Sequence, residues 1–429
     1  MRTTLVCDVA SRLDVVSPTE WQNLFPDLLD SLEMVRCIQG RGIPGFTFHT
    51  IVVREMQRPI LLLPLFETDY RLSTLVEAGA QRFVDRITNY LPQLNHLHLL
   101  GVGFVEGEWG QVGSDPQTDS ATLNEAWDLA LTALEALARG LRADLTAFVN
   151  FTTQSGRMLP MRKLTAFEQI AGLPIAQTRV TYADTHEYLA NLSKKMRSNL
   201  RRSLRKAHGV TLLRTRQPGP WLDAVYQLYL DTYRRSEVNF SMHSRDFFRS
   251  VCQRVDDAQY TLYFIGERLV AFGLHVVRPD CLIDKYFGMD QVLGREYSLF
   301  FVSWFKDLEY CMTNRIPLYH AGPTEEETKA RLGSQFVPSR ILFRHRQPLV
   351  HGILTELARH LAYQPSVALP PVRLGSEWDA PSTAAPIVHG APARSQASTV
   401  RARASAAGET AESRELEWVE NASTEQTVR

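Results

Sequence analysis

Charge of one sign is missing from this 429-residue chain, in which 47 lysines and arginines stand against 47 aspartates and glutamates. That balance argues against a protein built as a whole to coat DNA or an anionic membrane. Cysteine is scarce. The five thiols, Cys7, Cys37, Cys252, Cys281 and Cys311, form no Cys-x-x-Cys pair and no metal-ligand spacing, which fits free thiols in a reducing compartment rather than a disulfide scaffold. The twelve histidines are scattered, and no metal is expected. No stretch approaches 18 uninterrupted apolar residues, so no membrane span is expected. The opening residues, MRTTLVCDVASRLDVV, carry Asp8, Arg12 and Asp14 where a secretory signal would be apolar, and a cytoplasmic location is expected. A Gly-x-Ser-x-Gly elbow and a Cys/His pair are both absent, which argues against a covalent nucleophile. Sustained heptads and a helix-turn-helix glycine turn are absent too, against a coiled-coil arm and a DNA reader.

What the chain does have is alternation of strands and helices. FTFHTIVVR (46–54) and PILLLPLF (59–66) are β-rich runs around EMQR, which suits an antiparallel hairpin. HLHLLGVGFV is a further apolar stretch. Leu123, Trp127, Leu131, Leu134 and Leu137 recur at helical spacing, with Gly140 as a stop, and LTAFVNF follows as a strand. The second half repeats the theme: helices over 221–235 and near SRDFFRSVCQRV, then three antiparallel strands with turns at GER and RPD. After them come a buried helix over 298–313, a strand at IPLYHAG, a short helix at TEEETKARLG and a final strand at FVPSRILFRHR. The similar order of elements points to a duplicated mixed α/β unit, with lobes over 1–172 and 173–363. From Gln364 the composition turns to Ala, Ser, Pro and charge, and the 364–429 tail is expected to be disordered.

Positive charge is concentrated in one place. LSKKMRSNLRRSLRKAH (192–208) holds seven bases in seventeen residues. Spacing predicts one long helix from Tyr182 to Gly209, with Asp184 and Glu187 as a capping box. Leu189, Leu192, Met196, Leu200, Leu204 and Ala207 form one apolar stripe, and Lys194, Lys195, Arg197, Arg201, Arg202, Arg205 and Lys206 cover the other faces. The bases are either a solvated face or a surface for phosphates of a carrier or of transfer RNA.

The same segment, SKKMRSNLRRSLRKA, followed by RDFF, DKYFGMD, YSLFFVSWFKDLEY and HAGPTEEETKARLGSQFVPSRILFRHR, resembles the acetyltransferase-like (GNAT superfamily) domain of Fem-type aminoacyltransferases and peptidoglycan-biosynthesis-like N-acyltransferases. The resemblance covers Tyr182 to Arg346. It implies a two-lobed GNAT-like fold with largely antiparallel sheets, and an acyltransferase acting on a thioester. Departures are visible. Gln291 and Gly294 begin a phosphate-binding signature that Glu296 breaks, and Thr328 stands where the family has a histidine before the lysine, here Lys329.

Acyl transfer to an amine needs a base for an ammonium of pKa about 10, amide donors for an oxyanion and an acid for the thiolate. The expected base is Asp284 or His320, and the expected acid is Tyr286 or Tyr297. Asp284 and Tyr286 are expected on one strand face from their spacing of two. The amides from Gly294 through Arg295 and Glu296 to Ser298 are expected to hold the donor. Lys329 joins the catalytic set by the family pattern. Arg201 and Arg202 are expected to line the approach of the donor, with the helix that bears them packed between the two halves. The co-substrate is expected to be acyl-CoA or a phosphopantetheine thioester on an acyl-carrier protein, and the acceptor a small-molecule or peptide amine. Transfer from aminoacyl-tRNA and catalytically silent anion binding are the alternatives.

Overall fold

A computed structural model describes residues 4–11, 13–41, 43–70, 96–235, 241–361 and 365–375. Its first half runs β1 (Leu5–Ala10), α1 (Pro18–Leu24), α2 (Leu32–Arg41), β2 (Phe46–Glu55), β3 (Arg58–Tyr70), β4 (Leu97–Val102), a two-residue β5 (Gly113–Ser114), α3 (Ser120–Gly140) and β6 (Leu145–Phe151). Next come β7 (Glu168–Arg179), α4 (Thr185–Asn191) and α5 (Lys194–Lys206). The second half runs β8 (Val210–Thr215), α6 (Leu222–Tyr233), α7 (Arg245–Arg254), β9 (Ala258–Ile265), β10 (Arg268–Val277) and β11 (Leu282–Met289). It continues through α8 (Gln291–Glu296), α9 (Leu299–Thr313), β12 (Leu318–Gly322), α10 (Glu326–Arg331), β13 (Gln335–His345) and α11 (Pro348–Leu361).

Both halves thus follow one order: a strand, two helices, three antiparallel strands, a helical crossing and a strand. In each, the crossing makes a parallel pair, β4 with β6 and β11 with β12, in an otherwise antiparallel sheet. Hairpin turns fall at the expected places. Met56 (φ +55) and Gly266 (φ +57) supply the left-handed corners after β2 and β9.

The halves share one sheet, ordered β1-β2-β3-β4-β6-β13-β7-β12-β11-β10-β9-β8. Two strands are exchanged across its middle. β7 follows β6 in the chain but pairs with β12, while β13 follows β12 but pairs with β6. β7 and β13 also pair with each other, and the boundary expected at 172/173 falls inside β7. Leu123, Ala126, Trp127, Ala130 and Leu134 of α3 bury one face of the first half. A second core joins the halves, since Met34 and Ile38 of α2 pack in one cluster with Phe247, Phe248 and Val251 of α7.

The long helix expected over Tyr182–Gly209 is two helices. Leu192 is extended (ψ 153), and Ser193 starts α5 by accepting the Met196 amide. Arg197 closes the break by donating to the carbonyls of Leu189, Ala190 and Leu192 at 3.4, 3.1 and 3.3 Å. This arginine therefore ties down the end of α4 and is not part of a free basic face. The stripe is buried as expected, but against Trp304, Phe305 and Leu308 of α9 rather than between the halves; its cluster contains no residue before Ala176. Residues 376–429, nearly all of the tail expected to be disordered, lie outside the described residues. Residues 365–375 run over the body without regular secondary structure, bending at 366–367. Ser366 donates to Glu326, the Arg373 amide donates to Thr153 Oγ1, and Leu374 packs on Gly156.

Candidate active site

β11 and β12 pair at only two positions, Leu282 with Tyr319 and Ile283 with His320, although both strands run on. Beyond that point the sheet is forked, and Asp284, Tyr286, His320 and Lys329 of the expected catalytic set lie around the fork, whereas Tyr297 lies in the turn after Gln291–Glu296. β11 carries a bulge just there. Leu274 pairs with Tyr286 but His275 pairs with Asp284, so Lys285 is an extra residue. The bulge reverses the alternation that a spacing of two would give. Asp284 lies on the α9 face, and Tyr286 lies on the α6–α7 face. The expectation that they share a face is corrected by that one inserted residue.

On the α9 face, Tyr319 donates to Asp284 Oδ2 at 3.3 Å. His275 lies 3.7 Å from Asp284 and 3.7 Å from Asp307, and Asp307 pairs with Arg214 at 3.3 Å. Burial pushes the Asp284 carboxyl up, against the pull of His275, and its Oδ1 has no hydrogen-bond partner. Burial takes His275 down to about 4. His320 lies at the fork itself, with Nδ1 3.2 Å from Gln177 Nε2 and its ring 5.8 Å from that of Trp109. Burial takes its imidazole down to about 4 as well. Lys329 Nζ is buried and donates to the carbonyls of Ala321, Gly322 and Pro323 at 2.6, 3.2 and 2.9 Å, and desolvation brings it down to about 8.

On the other face, Tyr286 donates to Glu106 Oε2 at 3.1 Å and lies 2.5 Å from His243 Nε2. Burial holds the phenol well above its usual range, so it stays protonated. Burial alone would raise Glu106, but His243, Lys285 and Tyr286 beside it together hold the carboxyl below the usual value. Glu106, Glu108, Trp109 and His243 were not singled out in the sequence. The first three lie in the loop after β4, more than 170 residues from β11, and no local signal links them to it.

The expected donor site is the α8–α9 turn. Asp290 caps α8 by accepting the Val292 and Leu293 amides. The amides of Gly294, Tyr297 and Ser298 are already bonded to carbonyls of the same turn, at 2.7, 2.9 and 3.2 Å. Arg295 and Glu296 are exposed, and Tyr297 is half-buried. Ser298 enters α9 in the left-handed region (φ 55) without capping it, so the amides of Leu299 and Phe300 have no acceptor within the helix. Arg201 and Arg202 project from the solvent face of α5, where Arg202 donates to Asn199 Oδ1 at 3.0 Å.

Behind Trp109, in the first half, lies a cavity of about 270 Å³. Its wall includes Gln111, Ser114, Thr118, Ser155 and Arg157. Gln111 Oε1 and Thr118 Oγ1 are buried there without hydrogen-bond partners. Among the described residues no cluster of His, Cys, Asp and Glu is arranged to hold a metal, and no helix is long and apolar enough to cross a membrane.

Comparison with solved structures finds FemX at 11% identity (TM-score 0.49, covering 79% of this chain and 98% of that one). A tandem GNAT protein from the clavulanic acid biosynthesis pathway is similar at 13% identity (TM-score 0.47, 80% and 99%). L-PGS from Bacillus licheniformis is similar at 11% identity (TM-score 0.45, 81% and 98%). No curated protein matches the chain in sequence. A family profile does match, over residues 129–361, which is more than half of the chain and includes β11, the fork and β13. The chain belongs to the FemAB-like family, described as peptidoglycan biosynthesis/recognition.

Proposed function

We propose that this protein is an N-acyltransferase, moving an acyl group from a thioester, either acyl-CoA or the phosphopantetheine arm of an acyl-carrier protein, to an amine. The observation that carries the proposal is the fork between β11 and β12 in a FemAB-like chain. Two parallel strands that stop pairing while both continue leave backbone groups of β11 for a bound donor to use, while the Ala321 and Gly322 carbonyls of β12 are held by Lys329. A thioester lying in that fork reaches both faces of β11, which is where the bulge sets Asp284 and Tyr286.

In this scheme Asp284 takes the proton of the incoming ammonium. Its free Oδ1 and its upward shift suit that role better than His320, whose basicity burial has removed. The amine nitrogen attacks the thioester carbonyl carbon, and the resulting oxyanion collapses by breaking the carbon–sulfur bond as the nitrogen releases its second proton to solvent. Tyr286 passes a proton to the departing thiolate and is reprotonated through His243. We take the acceptor to be an amine on a peptide or cell-wall precursor, a reading the family description supports, with a polar portion in the cavity by Gln111 and Thr118. The exposed bases of α5 (Lys194, Lys195, Arg201, Arg202, Arg205, Lys206) favour a second reading, aminoacyl-tRNA as the donor.

A thermal-shift series on the full chain separates these readings. With acetyl-CoA, long-chain acyl-CoA, acyl-carrier protein and charged tRNA as additives, stabilisation by a thioester alone is expected, about 2.7 kcal/mol at a hundredfold excess over Kd. Replacing Arg201 and Arg202 by glutamate should weaken that donor without unfolding the protein. Stabilisation by tRNA alone selects the second reading. A folded sample that responds to none of the four rules out both.

A further inference from the structure

We infer that Lys285, the inserted residue of the β11 bulge, is a positioning residue that pins the Glu106–Trp109 segment of the first half onto the fork. The inference rests on the placement of the acyl-transfer site proposed above.

An ammonium has three protons, and Lys285 directs its donors at three residues of the first half. Asp30 accepts at 3.0 Å (Oδ1) and 3.3 Å (Oδ2), the Glu106 carbonyl at 2.9 Å and Glu108 Oε1 at 3.3 Å. The three side chains in this ionic cluster are almost sealed, at 2% exposure for Lys285, 2% for Asp30 and 7% for Glu108. Buried ions persist only when closely paired, so the cluster is rigid or it is lost. Glu106 is held at φ +63, a strained conformation for a residue with a side chain, and a neighbour must hold it there. Lys285 grips its carbonyl while Tyr286 binds its carboxylate, and three residues on Trp109 faces His320. The bulge therefore does two things at once. It puts Asp284 and Tyr286 on opposite faces, and it sends a lysine across to fix the residues that meet them.

The cluster is one positive charge short. Glu108 Oε2 is buried without a partner, and burial lifts this carboxyl to about 7 against the pull of Lys285. The charged groups facing Glu108 are Lys285 and Asp284 of β11, Asp30 ahead of α2 and Lys329 of α10. Removing Lys285 leaves the carboxylates with less compensation, so Glu108 should hold its proton to higher pH.

The test uses the full chain with Lys285→Met, and with Asp30→Asn as the milder variant should the first fail to fold. Hydrogen exchange over 103–112 should accelerate at least tenfold in the variant, with β9 and β10 unchanged. The pH profile of turnover should move up by about one unit or more, kcat falling and donor KM holding, and Lys285→Arg should restore part of the loss. Unchanged exchange over 103–112 in a folded variant overturns the inference. Faster exchange with turnover fully intact leaves the pin standing and removes acyl transfer from the fork.

Discussion

At the scale of single residues, much of the site chemistry is set by groups that burial keeps from their usual ionisation. His320 is neutral in the fold at pH values where an exposed histidine is charged. The unfolded chain therefore binds this proton first. The stability that comes from keeping His320 neutral is present above about pH 6.5 and is lost as pH falls toward 4. Glu108 and Asp307, both lifted to about 7, act in the opposite sense over much of the same window. A difference measurement cancels them. Comparing the wild type with His320→Gln by urea titration at several pH values, we expect the wild type to lose up to about 3 kcal/mol relative to the variant between pH 6.5 and 4. The sequence alone pointed to Asp284, Tyr286, His320 and Lys329, and the fold gathers all four around the fork. It did not reveal that Asp284 and Tyr286 face opposite ways, because DKYFG has no glycine or proline at the bulge itself. Nor did it reveal Glu106, Glu108 or Asp30, whose partner in the fold is a lysine far along the chain.

Elements were legible where turn chemistry or periodicity spoke clearly. The hairpins β2–β3 and β9–β10, the apolar stripe of α5 and the buried helix α9 all follow from residues named in advance. β7 was not legible, because Gly172 and Pro174 lie inside it and read as a break. The pairing shows how the strand tolerates them. Gly172 pairs with Ser339 and Ile175 pairs with Val337, so Pro174 and Pro338 sit together at a register shift where neither is asked to donate. The split of the basic segment was hidden for another reason: the apolar stripe keeps its spacing straight through the break at Leu192. Ser193 is the residue that makes the break, as the cap of α5. Ser193→Ala should cost about 1 kcal/mol in urea denaturation, with the helix retained through its buried Met196 and Leu200.

For the whole molecule, the exchange of β7 and β13 interlocks the two halves. The irregular segment 365–375 adds a strap from α10 to the loop after β6. A chain ending at residue 375 should melt with the full protein. One ending at 361 should lose about 1–2 kcal/mol, because it lacks the Leu374 side chain that covers Gly156 and the two bonds that Ser366 gives Glu326, and differential scanning calorimetry reads that difference. The same interlock bears on how the protein is made. β6 is complete at Phe151, but its partner β13 does not begin until Gln335, so about 180 residues must be translated before that edge can close. At ribosomal rates of about 5–20 residues per second the nascent first half waits roughly 10–40 s with an open strand edge. During synthesis, then, the middle of the finished sheet is an unprotected margin, and a nascent-chain chaperone would have its longest opportunity there.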